Sequence, residues 1–238
     1  MKSACLIMLT SLLCACATNT SVEKKTVPER GDRSTLNQIA KTDFDRMADV
    51  ELAENTQSLR NLMLKLYKRN PHELAKSTAD DAEKMVDWVF EGEAQHHWQF
   101  KEIGNKQGTD AIFLAFDADY QNDRVLPFIV GLQTMLAKAH NDKKEFYLTD
   151  SIDAQKLYNV ARNIEIANWK LGNSRDTDGN LYLLSNEPDT KERNLSFERE
   201  IGKIIGRTDL YAIALAEKTQ RGISRVVQSL ATAVFLPF

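Results

Sequence analysis

Cysteine is nearly missing from this chain. Three are present among 238 residues, at positions 5, 14 and 16, and none follows. A disulfide framework and a zinc site built on thiolates are thereby excluded. Glycine and proline are also sparse, at 10 and 5, which excludes collagen-like, Gly/Ser-rich and Pro-rich low-complexity chains. No excess of positive charge exists: 31 Lys and Arg stand against 34 Asp and Glu, a net charge of −3. That balance argues against a nucleic-acid partner. No apolar run beyond the first residues is long enough to span a bilayer, which takes about 20. Missing too are a Gly-x-Ser-x-Gly nucleophile elbow, a His-Glu-x-x-His zinc helix, a phosphate-binding loop and a dinucleotide fingerprint. The one Ser-x-x-Lys, Ser21 to Lys24, lies in a stretch with no apolar framework to hold an oxyanion hole. Nothing in the sequence calls for a cofactor.

What is there begins with the first residues. Lys2 supplies a positive charge, and residues 4–15 form a short apolar segment, the pattern of an export signal. Within it, Leu13-Cys14-Ala15-Cys16 resembles the lipobox of bacterial lipoproteins: a branched apolar residue, a small residue before the cut, then cysteine. The resemblance implies that residues 1–15 are removed and that Cys16 carries acyl chains. Cys14 fits less well, because Leu13 would precede the cut. An ordinary cleavable signal with a coincidental cysteine is the alternative. Several acyl chains anchor a protein permanently, since each buried CH2 contributes about 0.8 kcal/mol. Ala17 follows Cys16, with no Asp at that position, which by resemblance to known sorting rules implies the outer membrane. Residues 17–33 contain no aromatic, Leu or Ile. They cannot bury apolar area to offset their ordering entropy and read as a tether spanning roughly 20–25 Å.

From Ser34 onward the periodicity is helical. Leu59, Leu62, Met63, Leu66 and Tyr67 share one face. Asn70-Pro71-His72-Glu73 reads as a new helix start, with Asn as N-cap, Pro at the first position and Glu returning a hydrogen bond. Thr78 or Asp80 opens a helix carrying Met85, Trp88 and Val89. Residues 92–108 are less regular. Thr109 caps a short apolar helix to Ala118. Asp123 caps a longer one to His140, with Pro127 in its first turn. Residues 145–148 suggest a short extended piece. Asp150 or Ser151 opens a helix with Leu157, Val160, Ala161, Ile164 and Ala167 on one face, ended by Gly172. Residues 173–194 are a polar loop with a brief apolar run at 181–184. Residues 196–233 are helical, with a break near Arg207-Thr208. The sequence therefore predicts one all-α domain over residues 34–238, with about seven to nine helices arranged as a bundle or a solenoid.

Five patterns carry possible chemistry. Residues 111–119 are an apolar run ending in Asp117-Ala118-Asp119. They resemble the nucleophile strand of haloacid-dehalogenase-type phosphatases, a resemblance that implies Mg2+ and a nucleophilic Asp117. Gln121 departs from that family's pattern, and a buried helix with an acidic last turn explains the same letters. Residues 174–185 resemble half of a calcium loop through Asp176, Asp178 and Gly179, with Ser174 and Ser185 where two anionic ligands belong. Glu93, His96 and His97 contain one Glu-x-x-His, half of what a di-iron bundle requires. Gly202 and Gly206 have the small-x-x-x-small spacing that lets helices approach closely. Residues 234–238, Val-Phe-Leu-Pro-Phe, read as a tail that docks on the core or, alternatively, is recognised by a partner.

Together with the lipobox, Leu66-Tyr-Lys-Arg-Asn-Pro and Asn194-Leu-Ser-Phe-Glu-Arg-Glu-Ile-Gly-Lys resemble a proteobacterial lipoprotein family without assigned activity. That resemblance carries over no functional residue. The function it leaves is a lipid-anchored, periplasm-facing envelope protein, a non-catalytic interaction or scaffold module with an envelope protein partner. The alternative is an envelope hydrolase or metal-dependent binding protein that uses Asp117 and Asp119 or the His96/His97 region. That alternative requires these side chains to converge in one pocket.

Overall fold

The first helix starts where side chains satisfy its open N–H groups. Thr42 Oγ1 accepts from Asp45 N at 3.2 Å, and Asp45 returns the bond to Thr42 N at 2.7 Å, a complete capping box. The structure is a computed structural model and describes residues 41–186, 194–220, 222–224 and 234–238. The chain divides into two units, Met1–Thr35 and Leu36–Phe238, and all described residues lie in the second. The export signal, Cys16 and the tether lie outside them.

Eight α-helices are described: α1 (Asp43–Arg69), α2 (Pro71–Ser77), α3 (Ala82–Glu91), α4 (Glu93–His96), α5 (Gly108–Ala115), α6 (Val125–Ala139), α7 (Ala154–Asn173) and α8 (Ser196–Thr219). Among the described residues there is no strand; Arg175 and Leu181 form an isolated bridge. The fold is all-α. The four long helices form a closed cycle of neighbours: α1 packs on α6, α6 on α7, α7 on α8 and α8 back on α1. That cycle is a bundle rather than a solenoid. Helix α5 covers the outer side of α6, and α3 covers α1. With neighbours on both sides, α6 buries every residue except Ala137 and Lys138, which is why its sequence is apolar all round.

The α5–α6 contact depends on a glycine. A Cβ at Gly131 would stand 2.6 Å from Ile112 Cγ1 and 2.7 Å from the Gly108 carbonyl oxygen. By contrast, Gly202 and Gly206 lie on the exposed side of α8 with nothing within 4 Å of an added Cβ. They do not pack helices. Helix α8 also runs unbroken through Arg207 and Thr208. Both residues bond to α1: Arg207 Nη1 donates to Ser58 Oγ at 3.0 Å, and Thr208 Oγ1 donates to Glu51 Oε1 at 2.6 Å. Polar residues that looked like a break are an inter-helix seam.

Several helix starts shift. Asp81, not Thr78 or Asp80, caps α3 through Lys84 N at 2.8 Å, and Asp153, not Asp150 or Ser151, caps α7 through Gln155 N at 2.9 Å. Helix α5 starts at Gly108 and stops at Ala115, short of Ala118. At α2 the expected box does not form. The Asn70 side chain instead pairs with the backbone of Leu184, accepting from its N at 2.7 Å and donating to its O at 2.9 Å. Glu73 reaches across to accept from Arg124 N at 2.7 Å. At α6 the N-cap position is Arg124, and Asp123 one residue earlier takes the first N–H groups: its carboxylate accepts from Val125 N at 2.8 Å and also from Tyr67 and Ser77. Residues 145–148 are turn and irregular chain, not strand.

The tail docks as expected. Asn163 holds Leu236 on both sides, accepting from its N at 2.6 Å and donating to its O at 2.8 Å. Asn159 donates to Pro237 O at 2.7 Å, and the Phe235 ring meets Phe113 edge-on at 5.0 Å. Helix α8 ends at Thr219, capped by left-handed Gln220, and residues 222–224 are irregular, so the helix stops short of the expected 233; residues 221 and 225–233 lie outside the described residues.

Candidate ligand-binding cleft

A cleft of about 630 Å³ opens between α1, α6 and the irregular chain around residues 90–107. Its size is within the usual range of small-molecule sites, roughly 300–1,000 Å³. One wall is aromatic: Phe90 and Trp98 meet edge-on at 5.4 Å. The rest mixes charged groups with amides and hydroxyls. Gln57 and Thr56 come from α1, Gln133 and Thr134 from α6, and Gln99 and Gln107 from the connecting chain.

Trp98 reaches this place through an unusual backbone. His97 and Trp98 are consecutive left-handed residues, with φ of 50° and 58°, a conformation that costs L-residues about 1–2 kcal/mol each. His96 holds the turn. Its Nδ1 accepts from Trp98 N at 2.9 Å, so its Nε2–H donates to Val89 O at 3.0 Å. Gln107 Nε2 adds a bond to Trp98 O at 3.1 Å. Both ring nitrogens of His96 are therefore spent on backbone, which removes it as a metal ligand. Its role is to brace the turn that sets Trp98 in the cleft wall.

Two wall residues carry polar atoms without a partner. Trp98 Nε1 and Gln133 Oε1 are buried and make no hydrogen bond, although each residue is only 5 % exposed. Gln133 spends its other amide atom on Thr56 Oγ1 at 3.1 Å. A buried orphan of this kind costs about 1–3 kcal/mol unless something supplies the missing bond. The charged groups around the cleft have partners in the protein. Lys144 pairs with Glu93 at 2.7 Å, Lys138 with Asp142 at 2.5 Å, Lys143 with Asp150, and Arg60 with Asp87 and with Glu91 at 3.0 Å. Asp49 holds Lys41 at 2.5 Å and accepts from Phe146 N at 2.8 Å. Burial alone would lower the Lys41 pKa, but the hydrogen bond and charge of Asp49, with Glu145 behind, leave it raised.

The remaining residues singled out by pattern do not converge here. Glu93 and His97 line the cleft; His96, Asp117 and Asp119 do not. Asp117 and Asp119 are exposed in a turn after α5, where Asp117 Oδ1 accepts from Asp119 N at 2.9 Å. The buried Arg124 closes that helix end by donating to Ala115 O and Asp117 O, both at 2.8 Å. The phosphatase-like letters thus spell a capped helix C-terminus, with no strand to carry a nucleophile. Asp176 Oδ1 accepts from Asp178 N at 3.0 Å and Asn180 N at 2.8 Å. The backbone bond from Asn180 pulls its pKa below the usual value. Asp176 and Asp178 therefore build a turn closed by the Arg175–Leu181 bridge, not half a calcium loop. Among the described residues no group of three or more His, Cys, Asp or Glu is placed to hold a metal ion.

Compared with known protein families, with curated proteins and with solved structures, the chain matches none. Its class is defined by its own geometry: an all-α domain with a cleft lined by aromatic, amide, hydroxyl and charged groups. No helix among the described residues is long and apolar enough to cross a membrane.

Proposed function

We propose that this chain is a lipid-anchored protein of the bacterial cell envelope, held through Cys16 at the outer membrane and facing the periplasm. Its helical domain binds a component of the envelope through the cleft and performs no chemistry on it. The observation that carries this reading is the cleft of about 630 Å³ itself, lined by Gln57, Gln99 and Gln107, whose charged groups are already matched within the protein. Such a site holds a ligand; it has no nucleophile paired with a base.

The anchor and the cleft are tested together in cells. The full-length chain takes up an alkyne-bearing palmitate and fractionates with membranes, and Cys16→Ser abolishes both. A photo-crosslinking residue at Gln57, on the exposed rim, captures a recurrent envelope component; the same residue at Asp178, in the turn far along the chain, does not. Label and membrane association that survive Cys16→Ser would refute the anchor. Equal capture from both positions would refute the cleft.

A further inference from the structure

We infer that the outer face of α8 binds the same face of a second copy of this chain, antiparallel and across a two-fold axis. Helix α8 packs on α7 and α1 and leaves its remaining face open. Arg199, Gly202, Gly206, Leu210, Ile213 and Glu217 follow one another at spacings of three or four residues, so they form one row along that face. All six are exposed, Leu210 at 61 % and Ile213 at 43 %. None of them lines the cleft, so the inference stands apart from the function proposed above.

The row is complementary to itself. Its second half presents the two large apolar side chains. In its first half Gly202 and Gly206, which pack no helix of their own chain, leave open space, with nothing within 4 Å of an added Cβ. Two such helices laid antiparallel, with the axis at the level of Thr208, set Leu210 of each copy over Gly206 of the other and Ile213 beside Gly202. The same register sets Arg199 of each copy against Glu217 of the other, because 206 and 210, like 199 and 217, lie equally far on either side of 208. One register therefore satisfies shape and charge together, and the two-fold axis repeats every contact. A parallel pairing would instead set Arg199 on Arg199 and leave the glycine hollows unfilled. The other charges of this half of the bundle are already engaged: Lys203 meets Glu200 at 3.1 Å, Arg207 meets Glu54 at 3.6 Å, Asp209 meets Arg162, and Lys218 lies 4.4 Å from the Phe44 ring. Among the described residues the side chains of Arg199 and Glu217 make no ion pair. A face one helix wide makes a dimer of the weak class, so the dilute chain is monomeric and pairs where it is concentrated.

The test is sedimentation equilibrium of the full-length chain in density-matched detergent micelles, from dilute to concentrated. A reversible monomer–dimer equilibrium is expected. Leu210→Lys, at an exposed position where folding is not at stake, weakens it about tenfold or more by burying a charge over Gly206. Arg199→Glu weakens it about tenfold, because the axis creates two repulsive pairs at once. Arg199→Glu/Glu217→Arg restores it. A chain that stays monomeric at every concentration, or a dimer indifferent to Leu210→Lys, would overturn the inference. Charge reversals that weaken the dimer singly and fail to restore it together would overturn the antiparallel register. A photo-crosslinking residue at Leu210 that joins another protein in cells and never a second copy would give the face to a different partner and overturn the dimer.

Discussion

The substitution Gly→Ala has opposite signs at two places in this bundle, and the structure sets both. At Gly131 the added methyl would lie 2.6 Å from Ile112 Cγ1 and 2.7 Å from the carbonyl oxygen of Gly108, about 1 Å inside ordinary contact. The Ile112 side chain can turn; the Gly108 oxygen belongs to the backbone of α5 and moves only if the two helices part. Overpacking of this kind costs about 1–3 kcal/mol, and the backbone obstacle places this site at the upper end. Alanine's better helix propensity returns about 1 kcal/mol, leaving a net loss of about 2 kcal/mol. At Gly202 and Gly206 nothing stands within 4 Å, so the same change contributes propensity alone, about 1 kcal/mol each. For a domain of this size 1 kcal/mol moves Tm by about 2–4 °C. Thermal unfolding followed by circular dichroism should therefore give Tm lower by about 4–8 °C for Gly131→Ala and higher by about the same for Gly202→Ala/Gly206→Ala. A neutral or stabilising Gly131→Ala, or a destabilising double change on α8, would refute the packing described for these helices.

Three further outcomes follow from buried polar groups. Glu51 Oε2 faces His140 Nε2 at 2.9 Å deep in the bundle, while its other oxygen holds Asn55 and Thr208 at 2.6 Å each. Glu51→Leu alone should cost about 3–5 kcal/mol in urea unfolding, and Glu51→Leu/His140→Leu should cost at least about 1 kcal/mol less than the sum of the singles; strict additivity would sink the pairing. Burial outweighs the hydrogen bonds to the Asp123 carboxylate and raises its pKa above the ordinary 3.8, so the folded state binds that proton more readily than the unfolded one. Its contribution to stability is then lost as pH rises from 3.8 to the raised value, and the stability of Asp123→Asn relative to the native chain should climb over that window; a fall would contradict the assignment. Asn163→Ala removes both bonds to Leu236 and should speed amide exchange at Leu236 by about tenfold or more, whereas unchanged exchange would mean the tail is held by its rings alone.

Local patterns were legible in the sequence where one element decides them. The face of Leu59, Leu62, Met63, Leu66 and Tyr67 is buried as its spacing implied, the Asp123 side chain takes the first N–H groups of α6 from one residue before the N-cap, and residues 234–238 lie on the core. Features set by distant parts of the chain were not legible. Nothing in the local sequence marks Glu51 and Asn55 as buried; α8 brings Thr208 against them. Spacing pointed to Gly202 and Gly206, yet the glycine that permits close approach is Gly131, an isolated one, because its neighbour α5 is chosen by tertiary packing. His96 advertised a metal by its type, but a left-handed turn consumes both its nitrogens. The cleft had no motif at all. Glutamines at 57, 99, 107 and 133 are unremarkable singly and become a lining only when α1, α6 and the 90–107 chain meet; a count of uncharged amides near a buried Trp is the one signal that pointed there.

The most direct test of the cleft as a binding site is photo-crosslinking in cells with the full-length chain, comparing a crosslinking residue at Gln57, on the cleft rim, with the same residue at Asp178. The account predicts that Gln57 captures a recurrent envelope component and that Asp178 does not. Equal capture from both positions, or none from Gln57, would contradict it.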